Sequence, residues 1–196
     1  MSSNATIRST EILADNWAKL KRVTFDLVRR DGRKSTVVRE VYEYGDGAAV
    51  LPYDASRGTI LLARQFRVAA ELHGGNGFLL EACAGLLDGD TPEACALREA
   101  EEELGCRIRD LKRLATAYAA PGAIAERLSL FTARYSRADR ISTGGGLEGE
   151  GEDIEVVEMP LARAFAAIGK DIIDMKTILL LYALMAETGD GGQASR

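Results

Sequence analysis

Residues 78–106 constrain this chain more than any other stretch. Phe78-Leu-Leu-Glu-Ala-Cys83 has strand composition, Ala84 to Gly89 is turn-rich, and Asp90-Thr91-Pro92-Glu93 opens a helix. Asp90 or Thr91 can cap the free N–H groups, Pro92 is tolerated in the first turn, and Gly105 supplies a left-handed stop. Within that helix Glu99, Glu102 and Glu103 stand at i, i+3 and i+4 and share one face, while Glu101 points away. Leu97, Ala100 and Leu104 are assigned to the packed face. A Glu-rich helix can be a solvated surface. If the trio is partly buried, however, two carboxylates about 5 Å apart repel by about 3 kcal/mol at an effective dielectric of 20. A hard divalent cation with oxygen ligands reverses that sign, and magnesium suits it. An EF-hand reading of Asp88, Asp90 and Glu99 fails, because Pro92 and Glu93 stand where an oxygen ligand and a glycine are required.

Several function classes are excluded by counting. The 25 Lys and Arg against 30 Asp and Glu leave a net charge of −5, which argues against holding duplex nucleic acid or an anionic membrane by bulk charge. The only histidine, His73, lies in the run His73-Gly-Gly-Asn-Gly77, a poor place to hold a base in register. Histidine-rich metal sites are therefore absent, and hydrolytic chemistry must rest on carboxylates and a hard cation. Cys83, Cys95 and Cys106 form no CxxC pair, so the expected setting is reducing and cytoplasmic. The amino terminus lacks the apolar core of a signal peptide, and the apolar stretch Ile172 to Ala186 is interrupted by Asp174 and Lys176, so no membrane span is expected.

At 196 residues and 46% apolar composition the chain fits one domain with an appended segment. Strands are predicted at Val23 to Val28 and Ser35 to Tyr42 around a turn at 30–33, then at Ala48 to Tyr53, Thr59 to Phe66, Leu114 to Tyr118, Leu128 to Tyr135 and Ile154 to Met159. Further helices are predicted at Leu161 to Ile168 and Asp174 to Glu187. The first dozen residues read as frayed, and 143–153 as a long mobile acidic loop. The expected organisation is a strand-rich arm over 1–44, a catalytic domain over 45–188 and a flexible tail over 189–196, with the strands and helices forming an α/β sandwich.

Read as Arg98-Glu-Ala-Glu-Glu-Glu-Leu-Gly-Cys106, the central segment resembles the Nudix box: Arg-Glu, an apolar residue, any residue, Glu-Glu, any residue, Gly, an apolar residue. The glutamate that ordinarily precedes the helix is replaced by Asp90 in one register and by Thr91 in another. The resemblance runs from Ile12-Leu-Ala-Asp-Asn-Trp17 to Met175-Lys-Thr-Ile-Leu-Leu-Leu181 and is closest to the GDP-mannose pyrophosphatases, relatives of the ADP-ribose pyrophosphatases. Arg39-Glu-Val-Tyr42, Arg64-Gln-Phe-Arg-Val68, Cys83-Ala-Gly-Leu-Leu-Asp88, Gly144-Gly-Gly-Leu-Glu148 and Glu152-Asp-Ile-Glu-Val156 carry it.

That resemblance implies a Nudix α/β/α sandwich with a mixed sheet, plus a strand-rich N-terminal dimerisation segment. It implies magnesium, with manganese as a substitute, held by the Ala84 carbonyl, Glu99, Glu103 and Glu152, and Glu102 as a further carboxylate on the metal side. Glu152 is the first choice of general base and Glu102 the second, and Arg98 orients its neighbouring carboxylates. Arg67 matches a phosphate-binding arginine, and Gly85, Leu86, Glu126 and Lys176 match substrate contacts. Trp17, Arg39 and Glu40 match contacts that reach across a homodimer into the partner's site, whereas Val38 stands where the family has a lysine. The implied reaction is hydrolysis of a nucleotide sugar, GDP-mannose to GMP and mannose 1-phosphate. ADP-ribose or another nucleoside diphosphate sugar is the alternative substrate, and a non-catalytic nucleotide-binding module the alternative class.

Overall fold

The computed structural model describes residues 4–189 and forms two compact units. One comprises the chain up to Asp46 together with Tyr118–Arg127, and the other Gly47–Ala117 and the chain from Leu128 onward.

The first unit carries an antiparallel sheet of β1 (Ala5–Asp15), β2 (Lys19–Val28) and β3 (Lys34–Glu43), in that order. Residues expected to fray therefore form β1. Its side chains are mostly exposed and it has no apolar alternation to read. It is held by pairing with β2 from Ala5↔Leu27 to Asp15↔Lys19, and by the ion pairs Arg8–Asp26 and Arg22–Glu11. The predicted turn at 30–33 is present, with Gly32 at φ +81 and the Arg29 N–H donating to the Arg33 carbonyl at 2.8 Å. Residues 119–126 run beside β3, since the Tyr42 N–H donates to the Ala123 carbonyl at 2.8 Å and the Ala125 N–H to the Tyr42 carbonyl at 2.9 Å.

The second unit is built on a seven-stranded mixed sheet. Its path is β10 (Glu155–Pro160), β5 (Thr59–Phe66), β4 (Gly47–Asp54), β9 (Arg127–Arg134) and β8 (Arg109–Tyr118), with β6 (Phe78–Glu81) on β5 and β7 (Cys83–Leu86) on β4. β4 is buried along its whole length and pairs in parallel with β9, which explains its unbroken apolar run. Helix α1 (Val68–Leu72) is a single turn that sequence periodicity does not reveal. Helix α2 (Pro92–Glu102) covers one sheet face, where Cys95, Ala96, Ala100 and Leu104 pack with Val50, Leu61 and Phe131. On the other face, α3 (Leu161–Ala166) and α4 (Met175–Thr188) set Leu161, Leu180, Leu181 and Leu184 against Leu51 and Leu62. This is the expected α/β sandwich with a mixed sheet. Helix α4 ends at Gly189, φ +76, and the rest of the expected tail lies outside the described residues. Among the described residues no helix is long and apolar enough to cross a membrane.

Two corrections bear on the site. The strand expected over 78–83 is two strands, because at Ala82 the backbone N–H donates to the Thr177 hydroxyl of α4 at 2.6 Å while the chain passes from β5 to β4. Ala84–Leu86, expected in a turn, are thereby strand residues. Leu97, assigned to the packed face of α2, is 43% exposed; the buried face carries Cys95, Ala96, Glu99 and Ala100. The hydrophobicity of Leu97 pulls a sequence-based face one position too far round and hides that the acids lie on the inner side.

The end of α2 depends on Gly105, at φ +60, where the Cys106 N–H reaches back to the Ala100 carbonyl at 3.0 Å. A Cβ there would stand 2.5 Å from the Ser142 carbonyl oxygen and the Gly144 nitrogen, both backbone atoms. Gly105→Ala should therefore cost about 3 kcal/mol in urea-induced unfolding. At the end of β4, Asp54 accepts from the Ser56 N–H at 2.9 Å and the Arg57 Nε at 2.6 Å. Burial pushes this carboxyl up, but those bonds outweigh it and hold it at about 2, below its ordinary 3.8. A lowered native pKa stabilises above the unfolded value and is lost as pH falls through the native one. Wild type should thus lose stability between about pH 4 and pH 2 more steeply than Asp54→Asn, a difference readable from urea midpoints across that range.

Candidate active site

Arg98 organises the carboxylate helix. Its Nη1 donates to Glu99 Oε1 at 2.7 Å and to Glu102 Oε2, one turn on, at 3.1 Å; its Nη2 donates to the Leu86 carbonyl at 3.0 Å and its Nε to Asp90 Oδ2 at 3.3 Å. One guanidinium thus fixes two acids of α2, the end of β7 and the loop before the helix. Thr91 caps α2, accepting from the Ala94 N–H at 3.2 Å, and Asp90 supplies a carboxylate to the box arginine where the resemblance left the usual glutamate missing.

Glu103 is 1% exposed, and Oε2 accepts from the Ala84 N–H at 3.2 Å. Burial pushes its pKa up to about 8, and the nearby charges of Glu99 and Glu152 push in the same direction. Burial likewise raises Glu99 to about 7, against the pull of Arg98. Glu99 fills the space left by Gly85, where a Cβ would come 1.9 Å from Oε1. Glu101, by contrast, is exposed and faces Arg107 at 3.4 Å.

The glycine run after Ser142 has a packing cause. The Gly145 and Gly146 N–H groups donate to the Glu103 and Glu102 carbonyls at 3.0 and 3.1 Å, capping α2 from outside. A Cβ on Gly144 would lie 2.4 Å from the Glu103 carbonyl oxygen, and one on Gly146 2.3 Å from Glu152 Oε2. The first part of the segment expected as a mobile loop is therefore tied to the helix end. Glu152 turns back onto it, accepting from the Leu147 N–H at 2.9 Å.

Ala84, Gly85, Leu86, Arg98, Glu99, Glu102, Glu103 and Glu152 are thus brought together within the second unit. Among the described residues no group of three or more His, Cys, Asp or Glu side chains closes into a ready-made metal cage. The donor set nevertheless fits a hard divalent cation. It offers carboxylate oxygens, two of them buried at a cost that a cation removes.

Arg67 and Lys176 meet at Glu81, a buried carboxylate that receives Arg67 Nη2 at 2.8 Å and Lys176 Nζ at 3.0 Å. The remaining expected contacts lie in the first unit. Trp17 is 74% exposed, so it is no core anchor; it stacks on Tyr44 at 5.1 Å between ring centroids and lines a cleft of about 530 Å³ formed by 15–19, 43–46 and Ala125. Arg39 and Glu40 stand exposed on β3, Arg39 donating to the Val38 carbonyl and Glu40 facing Arg22 at 3.6 Å. Glu126 is buried, and its carbonyl accepts from the Ala119 N–H. His73 is exposed just after α1, as its glycine-rich surroundings suggest.

Glu81 and Gln65 are buried polar residues that no local sequence pattern singles out. Gln65 is buried with Nε2 unpartnered, two positions along β5 from Ala63 on the face that packs under α2. In both cases the available signal is only a polar residue at an inward position of an apolar strand.

Comparison with known proteins agrees with this geometry. The NUDIX domain model matches residues 35–179, and the GDP-mannose pyrophosphatase NudK N-terminal domain model matches 4–42. A GDP-mannose pyrophosphatase of Salmonella arizonae is 45% identical over 186 residues, covering 94% of this chain and 96% of that protein. One from Cronobacter sakazakii is 44% identical with the same coverage. The crystal structure of an ADP compounds hydrolase shares the fold, with a TM-score of 0.73 at 21% identity over 96% of this chain and 97% of that one. With the box arginine, its acids and the strand-loop entry in place, this chain belongs to the Nudix hydrolase superfamily and, within it, to the GDP-mannose pyrophosphatase family.

Proposed function

We propose that this Nudix hydrolase cleaves the pyrophosphate of GDP-mannose with magnesium, releasing GMP and mannose 1-phosphate. The observation that carries this reading is the buried pair Glu99 and Glu103 on a face organised by Arg98, in a chain similar over nearly its whole length to GDP-mannose pyrophosphatases.

The Ala84 carbonyl, Glu99, Glu103 and Glu152 would hold the magnesium, with Glu102 beside them; manganese, another oxygen-preferring cation, would substitute. When bound, the cation neutralises phosphate charge and lowers the pKa of attacking water. Glu152 takes the proton from that water, with Glu102 as the alternative base. Arg98 keeps Glu99 and Glu102 aimed, the strand-end backbone of Gly85 and Leu86 would contact substrate, and Arg67 and Lys176 would bring positive charge to the phosphates. No covalent enzyme intermediate is needed.

The working unit is a homodimer in which the arm of residues 1–44 serves the 45–188 hydrolase domain of the partner subunit. Trp17, with its exposed indole, Arg39 and Glu40 would there contact the nucleotide sugar, while Glu126 adds a further contact. The three cysteines are free and buried, which suits work in the reducing cytoplasm.

A substrate panel tests the assignment. GDP-mannose should give the highest kcat/KM among GDP-mannose, ADP-ribose and NADH; a higher value for ADP-ribose would move the specificity there. Mixing Trp17→Ala with Glu103→Gln protein should restore some activity, because one site in each heterodimer then carries neither lesion. Mixtures that stay at parental activity after confirmed subunit exchange would assign each site to one chain.

A further inference from the structure

Glu81 closes β6 at 3% exposure, yet it is charged and no step above uses it. It accepts from Arg67 Nε at 3.2 and 3.3 Å, from Arg67 Nη2 at 2.8 Å and from Lys176 Nζ at 3.0 Å. Arg67 follows β5, and Lys176 lies in the first turn of α4, on the opposite side of the sheet from α2. Both cations bond the same oxygen, Oε2, so their nitrogens lie within about 6 Å of one another, a distance at which two free like charges repel.

We propose that Glu81 is a positioning residue that clamps Arg67 and Lys176 at a fixed spacing, so that both cations meet a single phosphate-bearing substrate. The proposal rests on the reading of Arg67 and Lys176 as substrate contacts. With Asp174 also 3.0 Å from Lys176 Nζ, two carboxylates balance the two cations, so Glu81 acts by fixing where the cations stand. Donors also remain for a ligand: Arg67 spends Nε and Nη2 on Glu81, and Lys176 shares three N–H bonds between Glu81 and Asp174, the latter at 3.0 Å. Although burial pushes the Glu81 carboxyl up, Arg67 and Lys176 outweigh it and keep it ionised. Glutamine cannot take its place, because one of its two heads is an N–H donor that would face a cation.

The strand end and helix start are joined independently of Glu81. The Ala82 N–H donates to the Thr177 hydroxyl at 2.6 Å, and that hydroxyl donates to Asp174 Oδ2 at 2.5 Å. Loss of the clamp should therefore loosen the cations before it loosens the fold.

Steady-state kinetics on the full chain with magnesium and GDP-mannose test this, alongside thermal melts. Glu81→Gln should raise KM about tenfold or more, the loss of a charge-assisted contact, with kcat changed less than about threefold. Glu81→Asp, which keeps the charge, should recover part of the affinity. Arg67→Ala should also raise KM, and adding Glu81→Gln to it should cost less than Glu81→Gln costs in wild type, because part of its effect runs through Arg67 and the rest through Lys176. An unchanged KM in Glu81→Gln, additive losses in the double variant, or failure of both Glu81 variants to fold would each overturn the proposal. Wild type inactive on GDP-mannose and ADP-ribose alike would instead overturn the functional reading beneath it.

Discussion

Glu103→Gln is expected to lower kcat on the order of 10³-fold while the chain stays folded, a loss beyond the 10- to 100-fold typical of groups that only support a metal ligand. The side chain is buried on the inner side of α2, where an uncompensated negative charge is costly. Glutamine keeps the shape and removes the charge, and its carbonyl can still accept from the Ala84 N–H, so the packing has no reason to fail. The metal-free variant should melt at or above wild type, but magnesium should raise the melting temperature of wild type alone, since only a state that binds ligand is stabilised by it. Glu101→Gln is the control. Its exposed pair with Arg107 is worth under about 1 kcal/mol, and activity should change less than about threefold. Equal losses at both positions would point to helix stability rather than metal binding.

Gly85→Ala should cost about 100-fold in activity with little loss of stability, the size of effect seen when the shell around a metal ligand is disturbed. The added methyl would overlap the Glu99 carboxylate, 1.9 Å from Oε1 and 2.2 Å from Cδ. Because these atoms are the far end of a flexible side chain, Glu99 can swing aside at small cost to the fold. In doing so it would leave Arg98 and the site. The expected signature is a higher magnesium concentration for half-activity, with a melting temperature near wild type. Normal magnesium dependence would show that Glu99 need not stand where it does.

The site was more legible in the sequence than the surfaces that support it. Pro92, Gly105 and the i, i+3, i+4 spacing of the acids have local causes, so the helix, its ends and its carboxylate face can be read from neighbouring residues. The same holds for the β2–β3 turn at Gly32. By contrast, β1 is fixed by pairing to a partner strand rather than by its own pattern, and the break at Ala82 depends on Thr177, distant in sequence. Glu81 was overlooked for the same reason. Its two partners, Arg67 and Lys176, are 14 and 95 residues away, and only the fold brings them to one oxygen. The run Gly144–Gly146 suggests mobility as composition; its cause is the close approach of that backbone to the end of α2.

The proposed reaction is cation-dependent cleavage of a nucleotide sugar at this carboxylate face. It is tested most directly by incubating the full chain with GDP-mannose and magnesium and quantifying products by ³¹P NMR, with parallel samples in excess EDTA and after magnesium is restored. GMP and mannose 1-phosphate should appear in equal amounts, be lost together with chelator and return with magnesium. Cleavage indifferent to the chelator, or an intact pyrophosphate in every sample, would contradict it.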